Sequence, residues 1–328
     1  MHLRLLLLRF ALVSLLACNL LAHVTANAQD YPVRPVTLVV GFAAGGPTDV
    51  IARILAQELT VSLGQPVIVQ NKPGANSLLA TQAVARAAPD GYTLLFAAHA
   101  HSVNPILLES AHYDAVKDFA TISLVAVLPL LLVTYPDAQF NSLQELVKTA
   151  RAHPGEVMYA SAGYGGSSHL AGALLESLSA TKMTHVPFSG NGPALVEVMA
   201  GRVSFMFYPM IGVAANVAQK RLKVLAVGTE KRHPAFPTVP TLAEAGFAGF
   251  HETAPWVGMI APAATPTPIV ERLSEAVRAA LRKPETQHRL RELGATTAGS
   301  SPAEFAAFLQ KDNERWRRIV RAAGVERQ

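Results

Sequence analysis

Two glycine-rich runs carry the residue types that could hold a small anion. The first is Gly41-Phe42-Ala43-Ala44-Gly45-Gly46-Pro47-Thr48-Asp49. It falls between a stretch patterned as a strand and one patterned as a helix, the place where open α/β sheets bind ligands. Glycines there let backbone N–H groups approach a ligand closely, and the start of the next helix adds partial positive charge. A carboxylate can therefore be held without Lys or Arg. Thr48 adds a hydroxyl, although Gly46-Pro47-Thr48 also suits a plain capped helix start. Asp49 has two readings: a receiver for a ligand amine, or a first-turn acid that complements the helix dipole and pairs with Arg53 four residues on. The second is preferred. The other run, Ala162-Gly163-Tyr164-Gly165-Gly166-Ser167-Ser168-His169, repeats the arrangement after a strand and before a helix. Two such turns facing each other would form an anion clamp.

Other chemistries fail on spacing. Gly163-x-Gly165 lacks the third glycine of a dinucleotide fingerprint: Ser168 stands there, and Met183 and Thr184 lie about 20 residues on, where an acid is needed. Gly190-x-Gly192 fails likewise, with Leu195 at the third position. No Gly-Lys-Ser or Gly-Lys-Thr occurs, which excludes a P-loop. The residue two after Ser167 is His169, so there is no Gly-x-Ser-x-Gly elbow. Adjacent Ser and His at a helix start also point in different directions, which disfavours a nucleophile–base hydrogen bond. Ser167 is expected to be an N-cap, and no catalytic residue is assigned; a secreted hydrolase using Ser167 or Ser168 is the competing reading. His99-x-His101 has no third clustered ligand, so these histidines are expected to line a cleft or satisfy local backbone groups, and no metal is assigned. Arg315, Arg317, Arg318 and Arg321 share a helix with little interleaved aromatic surface, which reads as a solvated face rather than a nucleic-acid site. No cofactor is expected.

The elements that would position these runs begin after a leader. Arg4 and Arg9, the apolar run 10–17 and the small residues Ala26-Asn27-Ala28 form a secretory signal over residues 1–28. A second cut, at Leu15-Leu16-Ala17-Cys18, would instead lipidate Cys18. Either cut places the protein outside the cytoplasm. Of the 328 residues, 28 leave with the leader, and loss of its two arginines lowers the formal charge from +5 to +3, weak support for a nucleic-acid partner. Hydrophobic residues make up 50% and charged ones 16%, which excludes a disordered chain. Cys18 is the one cysteine, which excludes a disulfide scaffold. Past the leader no apolar run reaches the ~20 residues of a membrane helix; the longest, 122–133, contains Pro129. The mature protein is expected to be soluble.

Strand and helix patterns alternate: strand 36–40, helix 47–63, strand 66–69, helix 78–87, strand 92–97. Such alternation demands crossovers, and so a mainly parallel sheet covered by helices. The apolar stretch 121–135, broken by Pro129, reads as a passage to a second βα series: helix 143–152, strand 157–160, helix 167–178, strand 184–187, helix 193–200, strand 203–207, helix 213–220 and strand 222–227. Strand 256–260 is the way back, followed by helices 268–281, 284–293 and 302–321, each opened by Pro. The expected architecture is α/β with two lobes, residues 29–128 with 253–328 and residues 129–252, joined by two crossing segments. A ligand cleft and a hinge lie between them.

At this point the chain resembles a known family. Tyr31-Pro32-Val33-Arg34-Pro35-Val36-Thr37-Leu38-Val39-Val40 leading into the first glycine run is similar to the start of mature substrate-binding proteins of tripartite tricarboxylate transporters, the Bug receptors. Asn71-Lys72-Pro73-Gly74-Ala75, Ala88-Pro89-Asp90-Gly91-Tyr92-Thr93-Leu94, His185-Val186-Pro187-Phe188, Gly192-Pro193-Ala194 and Pro237-Thr238-Val239-Pro240-Thr241 extend the likeness along the mature chain. The resemblance implies a type II periplasmic-binding-protein fold that closes on a small carboxylate, a di- or tricarboxylate or an acidic amino acid. It also implies membrane permease subunits as partners and, with them, a monomeric receptor. By position, Phe42 packs on the ligand while the loop from Ala43 through Gly45 and Gly46 to Thr48 and Asp49 holds its carboxylate. The loop from Tyr164 and Gly165 through Ser167 and Ser168 to His169 is the second contact, and His99 or His101, Phe188 and Tyr208 complete the cleft. Asn76-Ser77 departs from the family pattern, in which glycines usually follow Pro-Gly-Ala, and this narrows the pocket or adds polar contacts. The loop variant Pro47-Thr48-Asp49 looks like the amino-acid-binding branch. A ligand sensor feeding a signalling partner is a third reading.

Overall fold

The computed structural model describes residues 31–328; the expected leader and Cys18 lie outside the described residues. Two mixed sheets form the scaffold. The first has the order β11-β4-β10-β3-β1-β2, from β1 (Val36–Val40), β2 (Val67–Asn71), β3 (Thr93–Ala98), β4 (Phe119–Val127), β10 (Trp256–Pro262) and β11 (Thr296–Thr297). The second has the order β7-β6-β8-β5-β9, from β5 (Leu130–Thr134), β6 (Met158–Ser161), β7 (Thr184–Pro187), β8 (Phe205–Pro209) and β9 (Lys223–Val227). The chain thus folds as two lobes. β1 pairs parallel with β2 and β3, and β6 with β7 and β8, as crossover connections require. The expectation of mainly parallel sheets is corrected at the crossing strands: β10 runs antiparallel to β3 and β4, and β5 antiparallel to β8 and β9. Each of these strands enters its sheet from the other lobe, and so in the reverse direction.

Helices follow the strands with identifiable start and stop signals. α1 (Pro47–Leu63) begins at Gly46 with Pro47 in its first turn and stops at Gly64, whose left-handed φ of 70° lets its N–H reach Thr60 O at 3.2 Å. Ile51, Ile54, Leu55 and Leu59 recur at helical spacing and are buried against the first sheet. The other helices of the first lobe are α2 (Leu78–Ala85) and α3 (Ala100–Leu107). α4 (Leu143–Ala152) is capped by Ser142 Oγ, which accepts from Glu145 N at 3.1 Å. α5 (Ser167–Ser179), α6 (Asn191–Met199) and α7 (Val213–Ala218) complete the second lobe. The C-terminal part is α8 (Thr267–Arg282), α9 (Pro284–Glu292) and α10 (Pro302–Ala322), the last opened by a capping box between Ser301 and Glu304.

The lobes meet at several places, three of which frame the cleft. The crossing segments are tied to each other where Leu128 N donates to Pro255 O at 2.8 Å. Behind them α10 packs Trp316, Ile319 and Val320 against Val103 and Leu107 of α3 and Leu170 of α5, a buried apolar cluster that draws on both lobes. In front, the loops described next close on one another. Among the described residues no helix is long and apolar enough to cross a membrane.

Candidate ligand-binding site

Four helices start at the cleft, and the reason is the winding of the sheets. A parallel βα unit puts the turn after each strand at the carboxyl edge of its sheet, where ligands bind in open α/β folds. The carboxyl ends of β1, β3, β6 and β7 lead into Phe42, His99, Ala162 and Phe188, and all four side chains line the cleft. The starts of α1, α3, α5 and α6 follow directly. Each helix start is worth about 0.3–1 kcal/mol to an exposed anion and up to ~2 kcal/mol when partly buried. Several together offer an anion a positive field without a cationic side chain.

The cleft has a wide and a narrow part. The wide part is a cavity of about 390 Å³ walled by Gly41, Phe42, Asn76 and Ser77 from the first lobe and by Tyr164 and Phe188 from the second. That volume suits a small organic acid, near the lower end of the roughly 300–1,000 Å³ of small-molecule sites. The narrow part, between Thr48, His99, Ala162, Ser167 and Asn191, closes to about 10 Å³. Here Ser167 N donates to His99 Nε2 at 2.7 Å, a hydrogen bond from one lobe to the other. Accepting through Nε2 puts the ring proton on Nδ1 and requires a neutral imidazole. Burial, with the nearby Arg315 charge, pushes the His99 pKa down to about 3, which keeps the ring in that form.

The first loop is held from within by Asp49. Its Oδ2 accepts from Gly45 N and Arg53 Nε, both at 2.9 Å, and its Oδ1 accepts from Asn71 Nδ2 at 2.9 Å. Asn71 Nδ2 also reaches Phe42 O at 3.0 Å. Burial pushes the carboxyl pKa up, but the hydrogen bonds from Arg53, Gly45 and Asn71 outweigh it and the net shift is downward. At 2% exposed and fully bonded, Asp49 faces its own loop rather than a ligand amine. The i, i+4 pair with Arg53 forms as the spacing predicts. Gly45 has φ of 80°, which a side chain would strain, whereas Gly46, with φ of −78°, is free of that constraint.

The turn facing the first loop is corrected. A Cβ on Gly46 would stand 4.0 Å from Gly192 N, and one on Gly190 3.4 Å from Ala43 Cβ, so the start of α6 is what opposes residues 42–49. The second glycine loop sits beside it: Ser168 Oγ donates to Asn191 Oδ1 at 3.1 Å. Gly190-x-Gly192, glycines after a strand and at a helix start, carries in the sequence the same signal as the other two turns.

Other expected site residues sit as follows. Tyr164 lines the cavity, and its hydroxyl donates to Glu326 O at 2.7 Å. Gly166, not Ser167, is the N-cap of α5; Ser167 is the first helical residue, and its backbone rather than its hydroxyl meets His99. His169 Nδ1 accepts from Gly165 N at 3.0 Å while the ring stacks on His185 at 3.9 Å, so it shapes the loop from inside. His101 is 1% exposed, with Nε2 on Ala115 O at 2.7 Å and its ring against Tyr113 and Phe119. It does not reach the cleft, because two residues on a helix start are turned far apart. Tyr208, 4% exposed, packs in the second lobe with Leu131 and Val213, and burial raises its pKa. Among the described residues no group of three His, Cys, Asp or Glu could hold a metal.

Comparison with known proteins decides the family. Residues 51–325 match the family model of the tripartite tricarboxylate transporter family receptor. The chain belongs to this receptor family. The periplasmic binding protein BugD superposes with a TM-score of 0.87 at 35% identity, covering 91% of this chain and all of that one. A Rhodopseudomonas palustris protein solved with adipate gives 0.87 at 33% identity, covering 91% and 100%. MatC from Rhodopseudomonas palustris, with bound malate, gives 0.84 at 36% identity, covering 88% and 100%. The receptor is therefore a periplasmic solute-binding protein with the two-lobed fold of these relatives, which are binding proteins.

Proposed function

We propose that this receptor captures a small organic carboxylate, a di- or tricarboxylate or an acidic amino acid, between its lobes and delivers it to the permease subunits of a tripartite tricarboxylate transporter. The observation that carries the reading is the convergence of four helix starts on a cleft without a cationic side chain among the residues that line it. The malate and adipate of the relatives fit the same chemistry. The secretory leader over residues 1–28 takes the chain to the periplasm, where it works as a monomer. Its lobes, 29–128 with 253–328 and 129–252, close about the paired crossings at Leu128 and Pro255. No catalytic step is involved: ligand contacts made only when the lobes are closed stabilise closure, and the permease reads the closed form.

The test is native mass spectrometry of the gently purified mature protein, then thermal-shift titration with small carboxylates and acidic amino acids. At 100 times its Kd a ligand that binds only the folded state adds about 2.7 kcal/mol, so a melting rise of roughly 4 °C is expected. Gly46→Val keeps an allowed backbone but pushes a branched side chain at Gly192, and should lower affinity at least 100-fold with the fold intact. No bound mass and no shift across the panel would sink the reading. Ester turnover that disappears in Ser167→Ala would replace it with a hydrolase.

A further inference from the structure

Asn76 and Ser77 stand on the cavity wall, where the helix-start field described above gives their side chains no part. Ala75, Asn76 and Ser77 are three consecutive residues with φ of 44°, 50° and 71°. This left-handed region is unstrained only for glycine, with Asn the best tolerated of the others. Backbone economy alone would place glycines here. Asn76 carries a second cost. Its Nδ2 donates to Asn104 Oδ1 at 3.1 Å, and Asn104 Nδ2 donates to Asn76 O at 2.9 Å. Only a nitrogen can donate to that carbonyl, so the pair fixes both amide orientations and leaves Asn76 Oδ1 buried without a partner. Side chains retained against both costs are there for the space they occupy.

That space adjoins the ligand cavity. The Asn76 carboxamide lies against the second glycine loop: a Cβ on Gly165 would come 3.3 Å from its Nδ2, and one on Gly166 3.8 Å from its Oδ1. Ser77 closes the adjoining corner, where its Oγ and Cβ leave no room for any side chain on Gly41. We infer that Asn76 and Ser77 are the specificity-determining wall of this cavity, confining the bound acid to a short chain and rejecting longer dicarboxylates; the inference rests on the carboxylate reading above. A glycine at either position would leave the backbone where it is and open room for additional methylenes.

The experiment is isothermal titration of the wild type, Asn76→Gly, Ser77→Gly and the double variant with succinate, glutarate, adipate and suberate. Glycine relieves the positive φ and so offsets part of the loss of the Asn76–Asn104 bond; melting temperatures are measured first, so that binding is compared between folded proteins. A methylene accommodated or refused by a pocket is worth about 10- to 200-fold. The affinity ratio of adipate to succinate should therefore rise at least tenfold in Asn76→Gly and further in the double variant. Asn76→Asp, of equal size, should weaken every acid by charge repulsion without moving that ratio. An unchanged ratio in both Asn76→Gly and the double variant, with binding retained, would overturn the wall. A wild type that binds no carboxylate at all would overturn the receptor reading and the wall with it.

Discussion

The two glycine loops have similar composition and the same place after a strand, yet they are held in opposite ways. Residues 42–49 are fixed by a charge: Asp49, hydrogen-bonded to Gly45, Arg53 and Asn71, draws the loop onto α1 and β2. Residues 163–169 are fixed by neutral rings: His169 takes Gly45's counterpart, the Gly165 amide, and stacks on His185, whose Nε2 lies 2.6 Å from Ser161 Oγ. Ser161 Oγ in turn accepts from Gly163 N at 3.1 Å. One lobe therefore presents amides from a frame that is sound wherever a carboxylate is ionised. The other presents them from a frame that is sound only while imidazoles are neutral. Both avoid placing a free charge in the cleft, and this leaves the helix starts as the field an anion meets.

The largest effect should come from the charged frame. Asp49→Ala removes acceptors from three donors at once, one of them a guanidinium. Each bond to the ionised carboxylate is worth about 1.5–3 kcal/mol, and with Arg53 free to turn to water the two remaining bonds make the loss about 3–6 kcal/mol. The melting temperature should fall by roughly 5–10 °C, and ligand affinity should fall with it because Gly45 and Gly46 lose their frame. A scanning-calorimetry shift below 2 °C would mean that the loop is held by its packing and not by Asp49.

The neutral frame should show itself in pH. His169 and His185 have pKa values pushed down by burial to about 3 and about 4, His169 further by its neighbour, while the unfolded rings titrate near 6.5. A depressed folded pKa means that the stabilisation is fully present above about pH 6.5 and is lost as pH falls toward 4 and 3, since the unfolded chain binds the protons more readily. His99, at about 3, follows the same sign, and its charging would also break the bond from Ser167 N between the lobes. Asp49, shifted downward, stays ionised through that window. Amide hydrogen exchange between pH 6.5 and 4.5, corrected for intrinsic rates, should therefore find Gly165 and Ser167 losing protection while Gly45 keeps its own. Loss of protection in both loops together would erase the distinction.

How much of this was legible in the sequence follows from what periodicity can carry. The helix over Leu143–Ala152 reads without error because Ser142, Glu145 and an apolar stripe all agree. α3 was not expected: Pro105 interrupts its pattern, and Ser102 and Asn104 are polar yet buried between elements, so burial does not follow polarity there. Strand direction is invisible to alternation, hence the antiparallel β5 and β10. Tyr208 fails as a cleft residue for a related reason: neighbouring strand residues face opposite sides, and Phe207 and Tyr208 pack into different clusters. His99 and His101 were separated only by the helix start between them. Asn76 and Ser77 stood out as departures from glycine, but the reason glycine suits those positions, three successive positive φ values, exists only in the fold.

The smallest prediction separates side chain from backbone at the start of α5. Ser168 spends its hydroxyl on Asn191, which couples the second loop to the adjacent α6 turn, so Ser168→Ala should cost about 0.5–1.5 kcal/mol and weaken binding a few-fold by letting the two turns drift. Ser167 contributes its backbone N–H to His99, and alanine keeps that N–H. Ser167→Ala should accordingly stay within about 0.5 kcal/mol of the wild type, the range of substitutions that break no such feature. Chemical denaturation and titration of the two variants side by side decide the matter. If Ser167→Ala is the more damaging of the two in binding while stability is unchanged, its hydroxyl touches the ligand, and the second loop offers a side-chain donor where the first offers amides alone.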